Sequence, residues 1–358
     1  MKTYLTSISA AVAVGIASVL FAPGTSVTQA QQPVVKLDMT GIVYTADEIG
    51  NSISAIDLAS GKVKIVPVGI SPHNVQITAD AAWLLAVGEP VINGHGQAEA
   101  GHGAKEAKGR LLVFNVRKLP AGPVASIQVG SHPAHVVVDR AGRRAFVTNA
   151  GDNAVAVVDL SRKMVVRTVP TGRSPHGLRL SPDGRELYVA NVEDGSVSVI
   201  DTTKLAEVAR IPVGRTPVQV GFTPDGTRVY ISLRDENSVA IVDTASRTKI
   251  GTVAVGRGPI QVHATPDGRS VYVANQGSDA DPADTVSVIE VATGRVIDAI
   301  RTGRGAHGVA VSNDGSLVLI TNIVEGTVSV IDASTRALVA AFRVGQGPNG
   351  VTFPPRED

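Results

Sequence analysis

The sequence contains no cysteine and few aromatic residues. Of its 358 residues, none is cysteine and only 3% are Phe, Trp or Tyr. The absence of cysteine excludes disulfide bonds, cysteine-ligated metals and cysteine nucleophiles. Because 43% of the residues are hydrophobic, the chain can bury a large core, which must consist mainly of Val, Ile, Leu and Ala.

The chain also lacks an excess of charge of either sign. Its formal net charge is +1, and Lys2 is the only charged residue among residues 1–30. Proteins that bind nucleic acid or anionic membranes through electrostatic attraction carry a basic surface. We therefore expect no nucleic-acid partner, and a small molecule or another protein as the ligand.

Long hydrophobic runs are confined to the N-terminus. Lys2 precedes the apolar stretch Ile8–Phe21, and Thr28–Ala30 ends in a small residue. This order is typical of a signal peptide, and the Ser and Gly residues that interrupt the run leave it too short to span a bilayer well. We predict that residues 1–30 are a cleaved signal peptide. Residues 31–358 would then form a periplasmic or secreted protein without an integral membrane segment; a retained membrane anchor is the alternative.

A unit of about 42 residues is repeated along the rest of the chain. Each unit ends in a glycine, and successive glycines are 42 residues apart except for two longer spacings of 61 and 47. The seven glycines are Gly69, Gly130, Gly172, Gly214, Gly256, Gly303 and Gly345. A period of 40–45 residues with four short strands is typical of a β-propeller blade.

Short strands and tight turns fill each unit. After Gly172, an apolar strand leads to a Ser-Pro-Asp-Gly turn at 181–184, a strand that ends at Asn191 and the alternating strand Val197–Asp201. Proline presets φ and glycine accepts positive φ, so such a sequence favours a turn. No segment keeps helical periodicity for long. We predict an all-β fold, a single seven-bladed β-propeller with four antiparallel strands per blade.

The two ends of the chain are expected to close the ring within one blade. Asn349–Phe353 follows Gly345 and a proline, as the innermost strand of most units does. We expect it to pair with Tyr44–Asp57. Val34–Leu37 is the competing candidate for that position.

Three segments carry a family resemblance. Tyr188-Val-Ala-Asn191, Tyr272-Val-Ala-Asn275 and Phe146-Val-Thr-Asn149 are each followed by a strand like Val-Ser-Val-Ile-Asp. They resemble the YVTN-type β-propeller repeat, and the resemblance covers about residues 41–353. The chain is also similar to the propellers of haem-d nitrite reductase and nitrous oxide reductase. The resemblance implies the fold, but fold analogy does not choose among functions.

Both long spacings come from insertions between the second and third strands of a blade. They fall in Glu89–Gly109 of the second blade and in Gln276–Asp284 of the sixth. In an up-and-down blade these loops emerge on the same face as the links between blades. Because loops on a rigid scaffold carry function, this face is the candidate site.

Histidines recur in the links that follow the glycines. His73, His176 and His307 occupy the fourth position after the glycine and His135 the fifth, while His95 and His102 lie on the second-blade insertion. Circular symmetry would gather the four link histidines at the mouth of the central channel, and the insertion would fold His95 and His102 over the same mouth. A histidine set without cysteine suits Cu(II), Zn or haem iron. The alternative is that Pro-His-Gly is a structural link whose imidazole bonds the backbone.

Arginine and asparagine recur on the same face. The candidate ligand-binding residues are Arg173, Arg215, Arg257, Arg304, Asn191 and Asn275. Four guanidinium groups around a channel would attract a carboxylate, a phosphate or a haem propionate. The competing interpretation pairs the arginines with acids in the loops between second and third strands, as exposed ion pairs from blade to blade.

Two functions remain open at this point. The first is an exported ligand- or metal-binding protein that acts without catalysis through the histidine-bearing mouth of the channel. The second is a metal-dependent or haem-associated periplasmic enzyme, similar to a lyase or a reductase. No nucleophile elbow or phosphate-binding glycine loop in the sequence decides for an enzyme.

The signal-peptide prediction is tested by the mass of the mature protein. When the full chain is expressed with an intact export machinery, we expect the periplasmic or secreted product to begin at Gln31, which intact-mass spectrometry measures. A product that keeps residues 1–30 and sediments with membranes would favour the anchor instead.

Overall fold

Seven four-stranded antiparallel sheets make up the part of the chain that the structure, a computed structural model, describes: residues 39–91 and 108–354. The predicted seven-bladed β-propeller is thereby confirmed. The predicted signal peptide 1–30, Val34–Leu37, His95 and His102 lie outside the described residues.

The first four blades take up the N-terminal half of the propeller. Blade 1 contains β1 (Ile42–Asp47), β2 (Ser52–Asp57) and β3 (Val63–Pro67). Blade 2 contains β4 (Ile70–Ile77), β5 (Trp83–Pro90), β6 (Arg110–Asn115) and β7 (Ala125–Gln128). Blade 3 contains β8 (Pro133–Val138), β9 (Arg144–Asn149), β10 (Ala154–Asp159) and β11 (Met164–Pro170). Blade 4 contains β12 (Pro175–Leu180), β13 (Glu186–Asn191), β14 (Ser196–Asp201) and β15 (Ala206–Pro212).

The last three blades repeat this order, and the final strand returns to blade 1. Blade 5 contains β16 (Pro217–Phe222), β17 (Arg228–Leu233), β18 (Ser238–Asp243) and β19 (Thr248–Ala254). Blade 6 contains β20 (Pro259–Ala264), β21 (Ser270–Gly277), β22 (Pro282–Glu290) and β23 (Arg295–Arg301). Blade 7 contains β24 (Ala306–Val311), β25 (Leu317–Asn322), β26 (Thr327–Asp332) and β27 (Ala337–Arg343), and β28 is Pro348–Thr352.

Helical structure in the described ranges is limited to three short 3-10 segments, Val116–Ala121, Ala150–Asp152 and Arg234–Glu236. None of them has the length or the hydropathy needed to cross a membrane.

The C-terminal strand closes the ring. β28 pairs with β1 in antiparallel register, with Tyr44 opposite Thr352 and Thr45 opposite Val351. The expectation that the C-terminal strand fills the innermost position of blade 1 is confirmed. The first and last strands of the chain thus share one sheet, and blade 1 has four strands like the other blades.

The hydrophobic core lies between neighbouring blades. One cluster joins Tyr188 and Val199 of blade 4 to Val220, Ile231 and Val242 of blade 5, all of them buried. Equivalent clusters occur at other blade interfaces. Each blade therefore buries both faces of its sheet, which explains why the middle strands are apolar on both sides.

The glycine at the end of a unit has no room for a side chain in six of the seven units, Gly69 being the exception. A Cβ atom at Gly172 would lie 2.6 Å from the side chain of Asn191, and one at Gly303 would lie 2.7 Å from Asn322. Asn191 in turn donates to Ser196 and Ser198, at 3.0 and 2.9 Å. The asparagine that ends the second strand therefore holds the link against the blade.

Blade 1 carries an aspartate where most blades have that asparagine. Asp47 is fully buried and accepts hydrogen bonds from Thr45, Ser52 and Ser54 at 2.7, 3.0 and 2.6 Å. Burial raises the pKa of Asp47, although these hydroxyl groups oppose the shift. The folded protein therefore takes up a proton at Asp47 more readily than the unfolded chain does.

Asp47→Asn should stabilise the protein at neutral pH, by about 1 kcal/mol. A group with a raised pKa favours the folded state below its unfolded pKa and loses that contribution as pH rises through the folded pKa. The gain should therefore be largest near pH 7 and smallest near about pH 4. Urea unfolding at both pH values measures it.

The reverse substitution Asn275→Asp is the matched control. Thr45 has no hydroxyl counterpart in blade 6, where Val273 stands two residues before Asn275. The new carboxylate should lower the free energy of unfolding by about 1–3 kcal/mol at neutral pH. A stabilising effect of Asn275→Asp would contradict this account of the buried aspartate.

Candidate functional site

Three histidines from three neighbouring blades meet at one end of the central channel. His73, His135 and His176 lie on the innermost strands β4, β8 and β12. Nε2 of His73 lies 3.1 Å from Nε2 of His176, and the three ring centroids are 4.8–5.6 Å apart. One ring nitrogen from each histidine lies within 4.8 Å of the others. We call these residues the histidine trio.

A carboxylate from blade 1 orients the first member of the trio. Oε1 of Glu48 lies 3.0 Å from Nδ1 of His73, and Asn349 donates from Nδ2 to Oε2 of Glu48 at 2.7 Å. Glu48 follows β1, whereas Asn349 lies on β28, so the two ends of the propeller chain meet here. The contact leaves Nε2 of His73 facing the trio.

The other two members are held by blade 5. Nδ1 of His176 donates to the carbonyl of Val218 at 3.2 Å, and the amide of Gln219 lies 3.4 Å from Nδ1 of His135. Every ring of the trio thus has a polar neighbour at Nδ1. At His73 and His176 this neighbour is an acceptor, the arrangement that fixes ring orientation in metal sites. At His135 the amide NH2 of Gln219 is instead the donor to Nδ1.

Burial keeps two of the three imidazoles neutral. Burial, with the charges of the neighbouring histidines as a second cause, lowers the pKa of His135 well below its usual value and that of His176 to about 3. Burial alone would raise the pKa of Glu48, but the hydrogen bond and charge of His73 and the amide of Asn349 bring it to about 2. At neutral pH the site therefore combines the neutral imidazoles of His135 and His176 with the ionised carboxylate of Glu48.

A hydroxyl group ties the backbone of two trio members together. Thr148, on β9, accepts from the backbone N–H of His135 at 3.0 Å and donates to the carbonyl of His176 at 2.6 Å. Ser232 makes the equivalent pair of bonds to Gln219 and Ile260 between blades 5 and 6. These hydroxyl groups fix the offset between neighbouring innermost strands.

The fourth predicted histidine lies beside the trio but outside it. His307 on β24 is 6% exposed, and burial, followed by the charge of His73, lowers its pKa to about 4. Among the described residues its Nδ1 has no hydrogen-bond partner. His95 and His102 lie outside the described ranges.

A pocket of about 400 Å³ opens next to the trio, between blades 1, 2 and 3. It is lined by Glu48, Ser71, His73, His132 and His176, among others. At its rim Nδ1 of His132 lies 2.7 Å from Oε1 of Glu89, and both side chains are exposed.

Three of the four repeated arginines lie in ion pairs on the same face, within single blades rather than between blades. Each pair joins a link to the loop between the second and third strands of the same blade. The pairs are Arg173 with Asp194 at 2.6 Å, Arg215 with Glu236 at 3.9 Å and Arg257 with Asp281. The backbone N–H of Arg304 donates to Glu325 at 2.9 Å. These contacts agree with the alternative of exposed ion pairs, formed within a blade.

The two predicted asparagines lie inside their blades. Asn191 and Asn275 are 0% exposed, and their amides donate to serine hydroxyls of the next strand. The structure does not bring them to the trio. A ligand role for the arginines and asparagines stays a prediction.

Several residues of the site were given no role from the sequence. Glu48, Thr148, Gln219 and Asn349 surround the trio. One signal could have revealed Glu48: it directly follows Asp47 in blade 1, and Glu89 holds the corresponding position after Gly88 in blade 2. Each of these two glutamates contacts a histidine in the link to the following blade.

Comparison with known proteins supports the fold and two partial similarities. A family model for the cytochrome D1 heme domain matches residues 229–348, and a model for seven-bladed propeller lactonases matches residues 109–254. The chain is therefore similar to haem-d propellers, as its sequence indicated, and also to lactonase propellers. No curated protein matches the chain in sequence.

Solved structures with the same fold come from several organisms. Hydrazine synthase of Kuenenia stuttgartiensis aligns with 21% identity and a TM-score of 0.65, over 78% of this chain and 88% of that one. A functionally unknown protein of Desulfotomaculum acetoxidans aligns with 16% identity and a TM-score of 0.71, over 89% of this chain and 100% of that one. A putative 6-phosphogluconolactonase of Bacteroides fragilis aligns with 16% identity and a TM-score of 0.68, over 89% of this chain and 99% of that one. These likenesses define a seven-bladed propeller and no particular function.

Thr148→Val should lower the free energy of unfolding by about 1–3 kcal/mol, because it leaves the N–H of His135 and the carbonyl of His176 without partners. Denaturant unfolding measures the loss. Ser232→Ala is the matched control, since it removes the same two bonds elsewhere and should cost a similar amount. If Thr148→Val leaves stability unchanged, the hydroxyl does not hold the two strands.

Proposed function

We propose that this protein is an exported metal-binding propeller in which the histidine trio holds one divalent transition-metal ion at the mouth of the channel. One observation carries the proposal: the Nε2 atoms of His73 and His176 lie 3.1 Å apart. Two imidazole ligands of a tetrahedral ion, each about 2.0–2.1 Å from it, have nitrogens roughly 3.3 Å apart. The spacing suits a shared ion with little movement of either ring.

The chemistry of the surrounding groups supports the same proposal. Neutral imidazole is the form that binds a metal, and burial holds His135 and His176 in that form. Glu48 supplies a carboxylate behind His73, an arrangement that orients a metal-bound imidazole and increases its basicity. Three histidines with a further open position suit Zn or Cu(II).

We propose binding rather than catalysis as the role of this site. The pocket beside the trio gives a small ligand access to the open position of an ion held there. A bound ion would act as a Lewis acid toward that ligand. The carboxylate of Glu48 is already engaged by His73 and Asn349, so it is not a free general base for a reaction.

A haem-associated enzyme is the second candidate, favoured by the match of residues 229–348 to the cytochrome D1 heme domain. The trio fits a single ion better, because a planar macrocycle cannot pass between two imidazole nitrogens that are 3.1 Å apart. A haem would have to be bound by one histidine alone.

The proposed location outside the cytoplasm depends on residues 1–30. It is supported by their signal-peptide pattern.

The mature protein should bind one Zn²⁺ or Cu²⁺ ion per chain after removal of endogenous metal, as measured by isothermal titration calorimetry. His73→Ala/His135→Ala/His176→Ala should abolish binding, and circular dichroism should confirm that the variant is folded. His307→Ala, which removes a buried histidine next to the trio, is the matched control and should keep the stoichiometry. Unchanged binding in the triple variant would refute the metal site.

Glu48→Gln tests the carboxylate behind His73. We expect the affinity for Zn²⁺ to fall by about 10–100-fold, because the neutral amide orients the imidazole less firmly. Glu89→Gln removes the corresponding contact with His132, outside the trio, and should leave the affinity unchanged. A visible absorption spectrum of protein purified from iron-supplied cells distinguishes the haem alternative, since a haem protein would be coloured.

A further inference from the structure

A partly buried guanidinium lies in the central channel, deeper than the trio. Arg179 is on the innermost strand β12, three residues after His176, and it pairs in register with Tyr188 of β13. Each of the other innermost strands has one residue at this height, the residue that pairs with the counterpart of Tyr188 in its own blade. These residues are Gln76, Val137, Gly221, His263, Ala310 and Thr352.

No carboxylate stands at this height of the channel. None of the residues at this height is an acid, and no ion pair among the described residues includes Arg179. Its guanidinium also makes no hydrogen bond to any residue in 39–91 or 108–354. Burial lowers the pKa of Arg179, and no acid opposes that effect. An arginine at this site nevertheless keeps its charge, so the folded protein holds a positive charge without a counterion of its own.

The residues at the height of Arg179 on other innermost strands include two small ones. Gly221, on the next innermost strand, has no side chain, and its Cβ position faces Val262 of blade 6, whose carbonyl oxygen would lie 3.0 Å from it. Ala310, three blades away, has only a methyl group. His263, two blades away, donates from Nδ1 to the carbonyl of Ala264 at 2.9 Å, so its Nε2 is an acceptor. Arg179 lies within electrostatic range of both His135 and His263. The guanidinium is thus central in the channel rather than packed against one blade.

We propose that the channel binds a small oxyanion, a carboxylate or an inorganic oxyanion, at Arg179. Two parallel N–H groups of a guanidinium match two oxygens of such an ion. A partly desolvated charge without a counterion is unfavourable, and an anion that binds from solution lowers that cost. The oxyanion site uses other side chains than the trio and does not need a metal, so it can exist even if the proposed metal site does not.

Anion-dependent stability of metal-free protein tests the proposal. The melting temperature is followed in increasing sodium acetate, sodium nitrate or sodium phosphate, against sodium chloride at equal ionic strength. We expect at least one of the three anions to raise it with saturation, because a ligand that binds only the folded state stabilises that state. In Arg179→Gln the rise should be absent. Arg295→Gln, which removes an exposed arginine on the outer strand β23, should respond as the original protein does.

The same series contains the results that would overturn the proposal. An equal response of Arg179→Gln would assign the stabilisation to general salt effects. No response of the original protein to any of the three anions would show that channel water alone solvates the guanidinium. If Arg179→Gln does not fold, Arg179→Lys keeps the charge but loses the paired N–H groups, and titration calorimetry should then show at least tenfold weaker anion binding. Equal affinity in Arg179→Lys would also contradict the proposed oxyanion site.

Discussion

The antiparallel pairing of β28 with β1 is the constraint on which the rest of the molecule depends. It converts a chain of units into a ring, and only a ring brings links from different blades to a common channel. The candidate site includes the joint itself. Glu48 follows β1 and Asn349 lies on β28, and their contact at 2.7 Å supports His73 on blade 2. An open chain of blades would still have its cores between neighbours, but it would lack the group that orients the first histidine.

The channel carries charge of opposite sign at two depths. At the mouth, the ionised Glu48 lies beside imidazoles that burial keeps neutral, and this combination favours a cation. Farther along the same innermost strands, Arg179 supplies a positive charge without a protein counterion. Two sites of opposite preference would let the channel accept an ion and an oxyanion together. Because the walls are packed blades, the separation of the two sites is set by the strands and cannot adjust to a wrong ligand.

The repeat predicted most of the fold, because a period of 42 residues fixes the number of blades and the face on which the links emerge. It also predicted that the link histidines would lie near one another, since similar positions in different links share a height in the channel. It did not predict that His135, at the fifth position, would join His73 and His176 while His307, at the fourth, would not. It could not predict the partners of the histidines. Gln219 and Thr148 reach them only because neighbouring strands have a particular offset, which depends on hydrogen bonds such as that from Thr148 to the carbonyl of His176. Such an offset is a property of the packed ring and leaves no periodic signal.

Residues that repeat and residues that do not repeat have different roles in this structure. Asn191 and Asn275 recur because each blade must hold a link glycine, and Arg173 pairs with an acid of its own blade. Their recurrence made them candidates for a site, yet the same recurrence is what a structural requirement of every blade produces. Arg179 and Glu48 occupy positions where most other blades have no charge. Since the blade itself does not need a charge at these positions, and burial makes it costly, a ligand in the channel is the simplest physical reason for a charge to be there.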